Sequence, residues 1–270
     1  MNIYEFVEKL KELYPDSLAC EWDNDGLMCS PGAVREVERV LVALDATEEA
    51  IEYAANGGFD TVLVHHPLIF RGLESVTPDS NVPRKVIFAL MNDISVISLH
   101  TRLDAGEGGV NDCLASVLGL KDVRKFGDSE SPELGRIGEL DSELSIYRFA
   151  DHVKAALGTE RVQLAAKGDE TVKKVAVVGG DGKDFIDAAK DAGADVLVTG
   201  DASYNSMLDA AEYGIPVIAA GHYHTEVLVC RRLAELVSSL TSADCEFVPY
   251  TPVRVVLFIL QWFISPVPEC

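Results

Sequence analysis

Histidines are scarce in this chain, and five of the six lie in three short segments, two of which also contain an acidic residue. The segments contain His65-His66, then His100 with Asp104, then His222 and His224 with Glu226. Each segment directly follows an apolar run that predicts a β-strand. Imidazole and carboxylate groups together are common ligands of divalent metal ions. The spacing therefore predicts a metal centre, whereas the sixth histidine, His152, falls in a helical pattern and is interpreted as a surface residue.

The adjacent pair His65-His66 indicates more than one metal ion. Neighbouring residues at the end of a strand point to opposite sides, so the two imidazoles can reach two different ions. A carboxylate can bridge such a pair, and paired ions lower the pKa of a shared water molecule, which makes it a nucleophile near neutral pH. Each residue alone has a simpler interpretation: a strand-end histidine is often structural, Glu226 could cap a helix, and Asp104 could close a turn.

The elements that position these residues alternate between strands and helices. Strands are predicted at residues 40–44, 60–64 and 94–99, and again at 162–165, 174–178, 195–199 and 216–220, with helices between most of them. This order predicts an α/β fold with a largely parallel sheet. Because ligands bind at the carboxyl ends of parallel strands, the three histidine segments are expected at one edge. Residues 226–240 predict a long amphipathic helix, with Thr225 as its N-cap, and the glycine-rich stretch 179–182 predicts a tight turn.

The two halves of the chain resemble each other. A shift of 135 residues places Val40 on Val175 and Gly58 on Gly193, and a shift of 122 places His100 on His222. This pattern predicts an internal duplication with two related α/β subdomains. The first would comprise residues 1–125 plus 227–270 and the second residues 126–226, with a turn-prone boundary at residues 121–132.

Composition narrows the possible partners and compartments. The net charge of −21 disfavours nucleic acid as a partner. The six cysteines are scattered without a CxxC pair, which favours a reducing cytoplasm, and the amino-terminal segment lacks the pattern of a signal peptide. The apolar stretch 253–267 is too short to span a membrane, so we expect no membrane association. We interpret this stretch as a buried strand that could lie at a subunit contact.

Several short motifs occur in an order that resembles a known family. They are Glu21-Trp22-Asp23-Asn24-Asp25-Gly26-Leu27, Val64-His65-His66-Pro67-Leu68, His100-Thr101-Arg102-Leu103-Asp104, Gly135-Arg136-Ile137-Gly138 and Gly221-His222-Tyr223-His224-Thr225-Glu226. Over about residues 1–250 the chain resembles the NGG-one-interacting-factor-three-like family, whose bacterial and archaeal members are often labelled GTP cyclohydrolase I type 2 homologues.

The resemblance implies a dinuclear metal site between two α/β subdomains and a toroidal homohexamer. The family's ligands fall on His65, His66, Asp104, His222 and Glu226, with Glu226 bridging, and His100 matches a histidine near the metals. One departure is Asn205, at a place where the family often has a histidine. The apolar end after Pro252 also differs from the usual family terminus.

The prediction that follows is a metal-dependent hydrolase acting on a nucleotide-like small molecule such as GTP. Two divalent ions per chain would activate water to attack carbon or phosphorus. Zinc and iron are the first candidates for these ions, and manganese, nickel and magnesium are further candidates. His100 or His224 would carry protons. The alternative is a non-catalytic protein that stores or delivers metal or binds a protein partner. An open coordination position and an adjoining pocket would favour the hydrolase.

Overall fold

A computed structural model describes residues 1–32, 36–131 and 133–248, and within these ranges the chain is a mixed α/β structure with two sheets. The strands are β1 (Gly26–Cys29), β2 (Arg39–Asp45), β3 (Thr61–His66), β4 (Ser95–Ser98), β5 (Lys121–Phe126), β6 (Gly135–Ser145), β7 (Gln163–Ala165), β8 (Thr171–Asp181), β9 (Val196–Asp201), β10 (Val217–Ala219) and β11 (Asp244–Phe247). The helices are α1 (Ile3–Leu13), α2 (Glu48–Gly57), α3 (Asn81–Met91), α4 (Thr101–Ala105), α5 (Val110–Val117), α6 (Ile146–Leu157), α7 (Ile186–Asp191), α8 (Tyr204–Tyr213), α9 (His222–Glu226) and α10 (Leu228–Leu240).

The first sheet has the strand order β1-β4-β3-β2-β11. Strands β4, β3, β2 and β11 are parallel, and β1 adds an antiparallel edge. The three central strands are almost wholly buried because helices and loops cover both faces, as their continuous apolar sequences require. Their carboxyl ends place His65, His66 and His100 at one edge.

The second sheet has the order β5-β6-β8-β9-β10-β7. Its middle strands β8, β9 and β10 are parallel, whereas β5, β6 and β7 pair antiparallel. Each sheet thus contains three successive parallel strands, β2-β3-β4 in one and β8-β9-β10 in the other. This shared order is what the predicted duplication requires, and the duplication itself stays a prediction.

Local sequence explains where several helices begin. Helix α1 opens with a capping box, in which the Asn2 side chain accepts from the Glu5 backbone and Glu5 accepts from the Asn2 backbone. Helix α2 opens at Thr47, whose hydroxyl accepts the backbone N–H of Ala50, as the sequence predicted. Gly58 ends α2 in the left-handed conformation, which favours glycine. No helix among the described residues is long and apolar enough to cross a membrane.

Two predicted elements are corrected by the structure. Residues 121–126 form strand β5 at the edge of the second sheet, rather than a boundary loop. The predicted helix at residues 226–240 is two helices, α9 and α10, and Thr225 lies inside α9 instead of capping the second one. The cause is Gly221, whose φ of 93° lets the chain turn from β10 straight into α9. The predicted apolar strand at 253–267 lies outside the described residues.

Candidate metal centre

The carboxyl ends of three strands bring four histidines and two carboxylates together. His65 and His66 end β3, His100 follows β4, and His222 opens α9 just after β10. The acids come from the short helices α4 and α9, which supply Asp104 and Glu226. Nitrogen and oxygen atoms within 4.8 Å of one another form three groups: His65 with His66 and His100, His66 with His222 and Glu226, and His65 with Asp104 and Glu226. The two sheets therefore contribute jointly to one cluster.

All four imidazoles of the cluster are held by their outer nitrogen. Each Nδ1 lies against an acceptor: Asp45 at 2.8 Å for His66, Asp23 at 2.7 Å for His100, Asp201 at 2.8 Å for His222, and the Leu99 carbonyl at 3.3 Å for His65. An acceptor at this position holds a proton on Nδ1, so that Nε2 is the nitrogen that would bind a metal ion. This is the arrangement found around metal-binding histidines.

Glu226 lies at the centre of the cluster, and its two oxygens face different groups. Oε1 is 3.6 Å from Nε2 of His65, whereas Oε2 is 2.9 Å from Nε2 of His66 and 3.2 Å from Nε2 of His222. The Nε2 atoms of His66 and His222 are themselves only 3.2 Å apart. Two groups of donors meeting at one carboxylate resemble the geometry of a bridging ligand.

Two of these buried atoms have no hydrogen-bond partner among the described residues: His65 Nε2 and Asp104 Oδ1. A buried polar group without a partner is costly, so such atoms call for a bound water molecule or ion. Here a ring nitrogen and a carboxylate oxygen lie 3.6 Å apart in the same small space. The donor set therefore fits a divalent cation such as zinc, iron or manganese.

The electrostatics of the metal-free site concentrate charge on Glu226. Burial raises the pKa of Glu226, but the neighbouring imidazoles of His65, His222 and His66 outweigh it, and the net pKa is well below the usual range. Burial raises the pKa of Asp104 to about 7, with His65 opposing the rise and the charge of Glu226 adding to it. Asp104 and Glu226 thus repel each other when both are ionised, and a bound cation would offset this repulsion.

Histidine charge in the metal-free site responds to the same acids. Burial lowers the pKa of His66, but Asp45 and Glu226 outweigh it and raise the pKa to about 10. The hydrogen bond to Glu226 raises the pKa of His222 to about 9, against the effect of burial. In the absence of metal, protons therefore occupy the nitrogens that would bind it.

Glycines make room for this arrangement. A Cβ at Gly180 would lie 2.2 Å from Oε1 of Glu226, and a Cβ at Gly200 would lie 2.7 Å from the Thr225 hydroxyl. Gly179, Gly180 and Asp181 belong to strand β8, so the predicted tight turn at residues 179–182 is wrong for all but Gly182. The role of the two glycines is close packing of β8 against α9, which carries Glu226.

Comparison with known proteins shows the family of this chain. The family model of Duf34/NIF3 (NGG1p interacting factor 3) matches residues 1–252. The chain belongs to this family. A GTP cyclohydrolase 1 type 2 homolog of Clostridium perfringens (strain 13 / Type A) is 34% identical over 251 residues, which cover 92% of this chain and 95% of the relative. A homolog of the same name from Nostoc sp. is 35% identical over 222 residues, with 80% and 83% covered.

Solved structures of similar proteins share the fold over nearly the whole chain. The Staphylococcus aureus hypothetical protein SA1388 superposes with a TM-score of 0.85 at 27% identity, covering 96% of this chain and 98% of that one. Reduced HcgD from Methanocaldococcus jannaschii gives a TM-score of 0.80 at 29% identity, covering 93% and 98%. The two-sheet architecture is thus that of the Duf34/NIF3 proteins.

Not every residue singled out in the sequence reaches the cluster. His65, His66, His100, Asp104, His222 and Glu226 do. His224 is in none of the three groups, although it is half-buried on α9 beside Tyr223. Asn205 is exposed in the first turn of α8, and His152 is exposed on α6, where its Nε2 lies 3.0 Å from the Leu118 carbonyl.

Three aspartates were missed as parts of the site: Asp23, Asp45 and Asp201. Asp45 is the last residue of β2 and Asp201 the last of β9, so their strand-end positions were a usable signal. Asp23 lies in the Glu21-Trp22-Asp23-Asn24 motif. Its pKa is lowered to about 2 because hydrogen bonds from His100 and Thr101 outweigh the effect of burial. Each aspartate acts by orienting an imidazole.

A cavity of about 390 Å³ opens directly beside the cluster. His66, His222, Asp45 and Lys85 are among the residues that line it. His222 is the most accessible ligand candidate, with 39% of its side chain exposed, whereas Glu226 is 5% exposed. A small molecule can therefore approach from the His222 side, while Glu226 itself is shielded from solvent.

Proposed function

We propose that this Duf34/NIF3 chain is a metal-dependent hydrolase with a dinuclear centre, acting on a nucleotide-like small molecule. The observation that carries the proposal is the orientation of the four imidazoles, each held at Nδ1 by an outer acceptor, so that Nε2 is the nitrogen available to a metal ion. Hydrogen bonds within the chain do not account for the whole cluster, because they leave the buried His65 Nε2 and Asp104 Oδ1 without partners.

The two oxygens of Glu226 support two ions rather than one. His65, Asp104 and Glu226 Oε1 would hold the first ion, and His66, His222 and Glu226 Oε2 would hold the second. Such ions would supply Lewis acidity and lower the pKa of a bound water molecule. The positions are those that the family resemblance implied from the sequence.

The chain's own groups would bind the substrate and move protons. His100 would hold and release a proton at Nε2, because its Nδ1 is fixed against the buried carboxylate of Asp23. Lys85, the cationic side chain among the cavity-lining residues, places positive charge beside the centre in a chain whose net charge is −21. A phosphate-bearing substrate suits this wall, and the name of the clostridial relative, a GTP cyclohydrolase 1 type 2 homolog, points to the same substrate class.

The cavity favours the hydrolase over the non-catalytic alternative. A storage or structural site is closed by protein ligands, whereas a catalytic site keeps an accessible position. Here the accessible side of the cluster opens into a space large enough for a small molecule. Water and substrate can therefore reach the centre together.

The test is metal content and turnover in protein purified without a nickel column. Mass spectrometry should find about two metals per chain after incubation with zinc or manganese, and fewer in Glu226→Gln. Glu143→Gln, an exposed position on β6, is the matched control and should keep both metals. The loaded wild type should hydrolyse GTP or another nucleoside phosphate, followed by chromatography and product mass.

Two results contradict the proposal in different ways. A wild type that binds no metal after divalent ions are added would refute the metal centre. Two bound metals without turnover of any compound in a nucleotide and phosphoester panel would favour the storage or regulatory alternative.

A further inference from the structure

Two exposed aromatic side chains adjoin the metal centre at His100. Trp22 is 58% exposed and Phe70 is 46% exposed, although large aromatic side chains usually bury most of their surface. Their ring centroids are 6.1 Å apart, and each lies about 6 Å from the His100 ring, at 6.2 Å for Trp22 and 6.0 Å for Phe70. The three rings thus form a triangle with nearly equal sides.

The rings of this triangle meet edge to face, with interplanar angles of 71°, 76° and 87°. Because Trp22 and Phe70 are not stacked face to face, apolar ring surface stays open to solvent. His100 in turn has its ring centroid 5.3 Å from that of His65 and 5.8 Å from that of His66. The exposed rings are therefore continuous with the candidate metal ligands.

The backbone that carries these aromatics is tied down. Asp23, next to Trp22, accepts from the backbone and hydroxyl of Thr101 at 3.0 and 2.6 Å as well as facing His100. The Asn24 side chain donates to the carbonyl of Ile69, next to Phe70. The two loops are thus bonded to each other and to α4. Apolar surface held in place beside a reactive centre is a preorganised binding surface.

From this geometry we infer that Trp22 and Phe70 form a stacking platform that binds the planar heteroaromatic ring of the substrate while its anionic part reaches the metals. The inference rests on the proposed function and assigns substrate recognition to two residues that are not metal ligands. Every nucleobase has a π-face, so the platform selects for a planar ring without reading its edge. It explains why exposed aromatic surface lies at this point of the molecule.

The position of the cationic side chain fits a substrate whose ring and phosphate bind at different places. The platform lies on the His100 side of the cluster, whereas Lys85 lines the cavity on the His66 and His222 side. A molecule with a flat ring at one end and a phosphate at the other would span the centre. A phosphate without a ring would contact only the metal side.

The test compares guanosine 5′-monophosphate with ribose 5-phosphate on the zinc-loaded full chain. The sequence contains two tryptophans, Trp22 and Trp262, so a Trp262→Phe background leaves Trp22 as the sole tryptophan reporter. The nucleotide should quench Trp22 fluorescence, and ribose 5-phosphate should bind, as measured by calorimetry, without quenching.

Phe70→Ala and Trp22→Ala, measured by calorimetry, should weaken nucleotide binding by about 5- to 150-fold per base stacked. Binding of ribose 5-phosphate and metal content should stay unchanged. The control is Tyr147→Ala, a similarly exposed aromatic on α6 at 56% exposure, which should change neither ligand. Gel filtration of every variant records the oligomeric state.

Three outcomes overturn the inference. Equal nucleotide binding by the wild type and both platform variants refutes stacking while leaving the metal centre intact. A changed elution volume with unchanged nucleotide affinity shows that the aromatic pair is a subunit contact instead. Loss of binding for both compounds in the wild type, despite a full metal complement, refutes the nucleotide-like substrate together with the platform.

Discussion

Replacing Gly180 with alanine tests whether Glu226 must occupy its observed position. Gly180 is buried in β8 with φ at +65°, and an added Cβ would lie 2.2 Å from Oε1 of Glu226. Since nonbonded heavy atoms prefer about 3.5 Å, the carboxylate must move by about 1 Å. Metal–ligand distances tolerate only about 0.2 Å, so this shift would remove Glu226 from one or both ions.

The stability cost has two parts, and a matched control separates them. Alanine in the left-handed conformation costs about 1–2 kcal/mol, and overpacking a buried site adds about 1–3 kcal/mol. Gly158 has φ at +62° with nothing within 4 Å of its ideal Cβ, so Gly158→Ala carries only the first part. We therefore expect Gly180→Ala to lose about 2–5 kcal/mol of unfolding free energy and Gly158→Ala about 1–2 kcal/mol.

Urea denaturation of the chelator-treated proteins measures the folding cost, and mass spectrometry of the reloaded proteins measures metal content. Gly158→Ala should keep the wild-type metal content, whereas Gly180→Ala should retain half or less. If Gly180→Ala bound metal like the wild type, with the same affinity, the assignment of Glu226 as a bridging ligand would be wrong.

Three further predictions concern protons, orientation and the buried scaffold. Without metal, the pKa of His66 is raised to about 10 and that of His222 to about 9. Zinc binding should therefore release protons at pH 7, and the affinity for zinc should increase as the pH rises toward 9. Calorimetry in two buffers of different ionisation enthalpy measures the number of protons released, and a value of zero would contradict the prediction. Asp201→Ala should weaken metal binding by about 10- to 100-fold, since it frees the His222 ring; unchanged affinity in a competition titration with a chelator would rule out this orienting role. Arg136→Met should cost about 3–5 kcal/mol in chemical denaturation. The guanidinium is 2% exposed, and its loss removes the ion pair to the partly exposed Asp112 and leaves the buried carbonyls of Ala105 and Gly106 without this donor. Exposed Arg124→Met should cost at most about 0.5 kcal/mol, and similar losses for both variants would refute the argument.

The helices and strands could largely be predicted because their signals are local. Apolar runs at residues 40–44 and 60–64 correspond to β2 and β3, and the helical spacing of Ile3, Phe6 and Leu10 corresponds to the buried face of α1. Local patterns failed where a single backbone conformation decided the outcome. At Gly221 a positive φ starts α9 four residues before the predicted helix.

The composition of the cluster could also be predicted from local spacing. His222 and Glu226 are four residues apart, and one turn of α9 brings them within 3.2 Å. His65 and His66 are adjacent at a strand end. The sequence thus determined which candidate ligand types are present and that the histidines follow strands, because these properties depend only on neighbours along the chain.

Only the tertiary structure decided how the segments meet. Glu226 lies against His66, 160 positions away in the chain, and Asp201 and Asp23 were recognised as orienting groups only once the strand ends stood side by side. The placement of Trp22 and Phe70 around His100 likewise depends on two loops closing on each other. Hydrophobic periodicity fixes the type of each element, but strand order and the contacts across sheets depend on how the buried faces pack, which is a property of the whole chain.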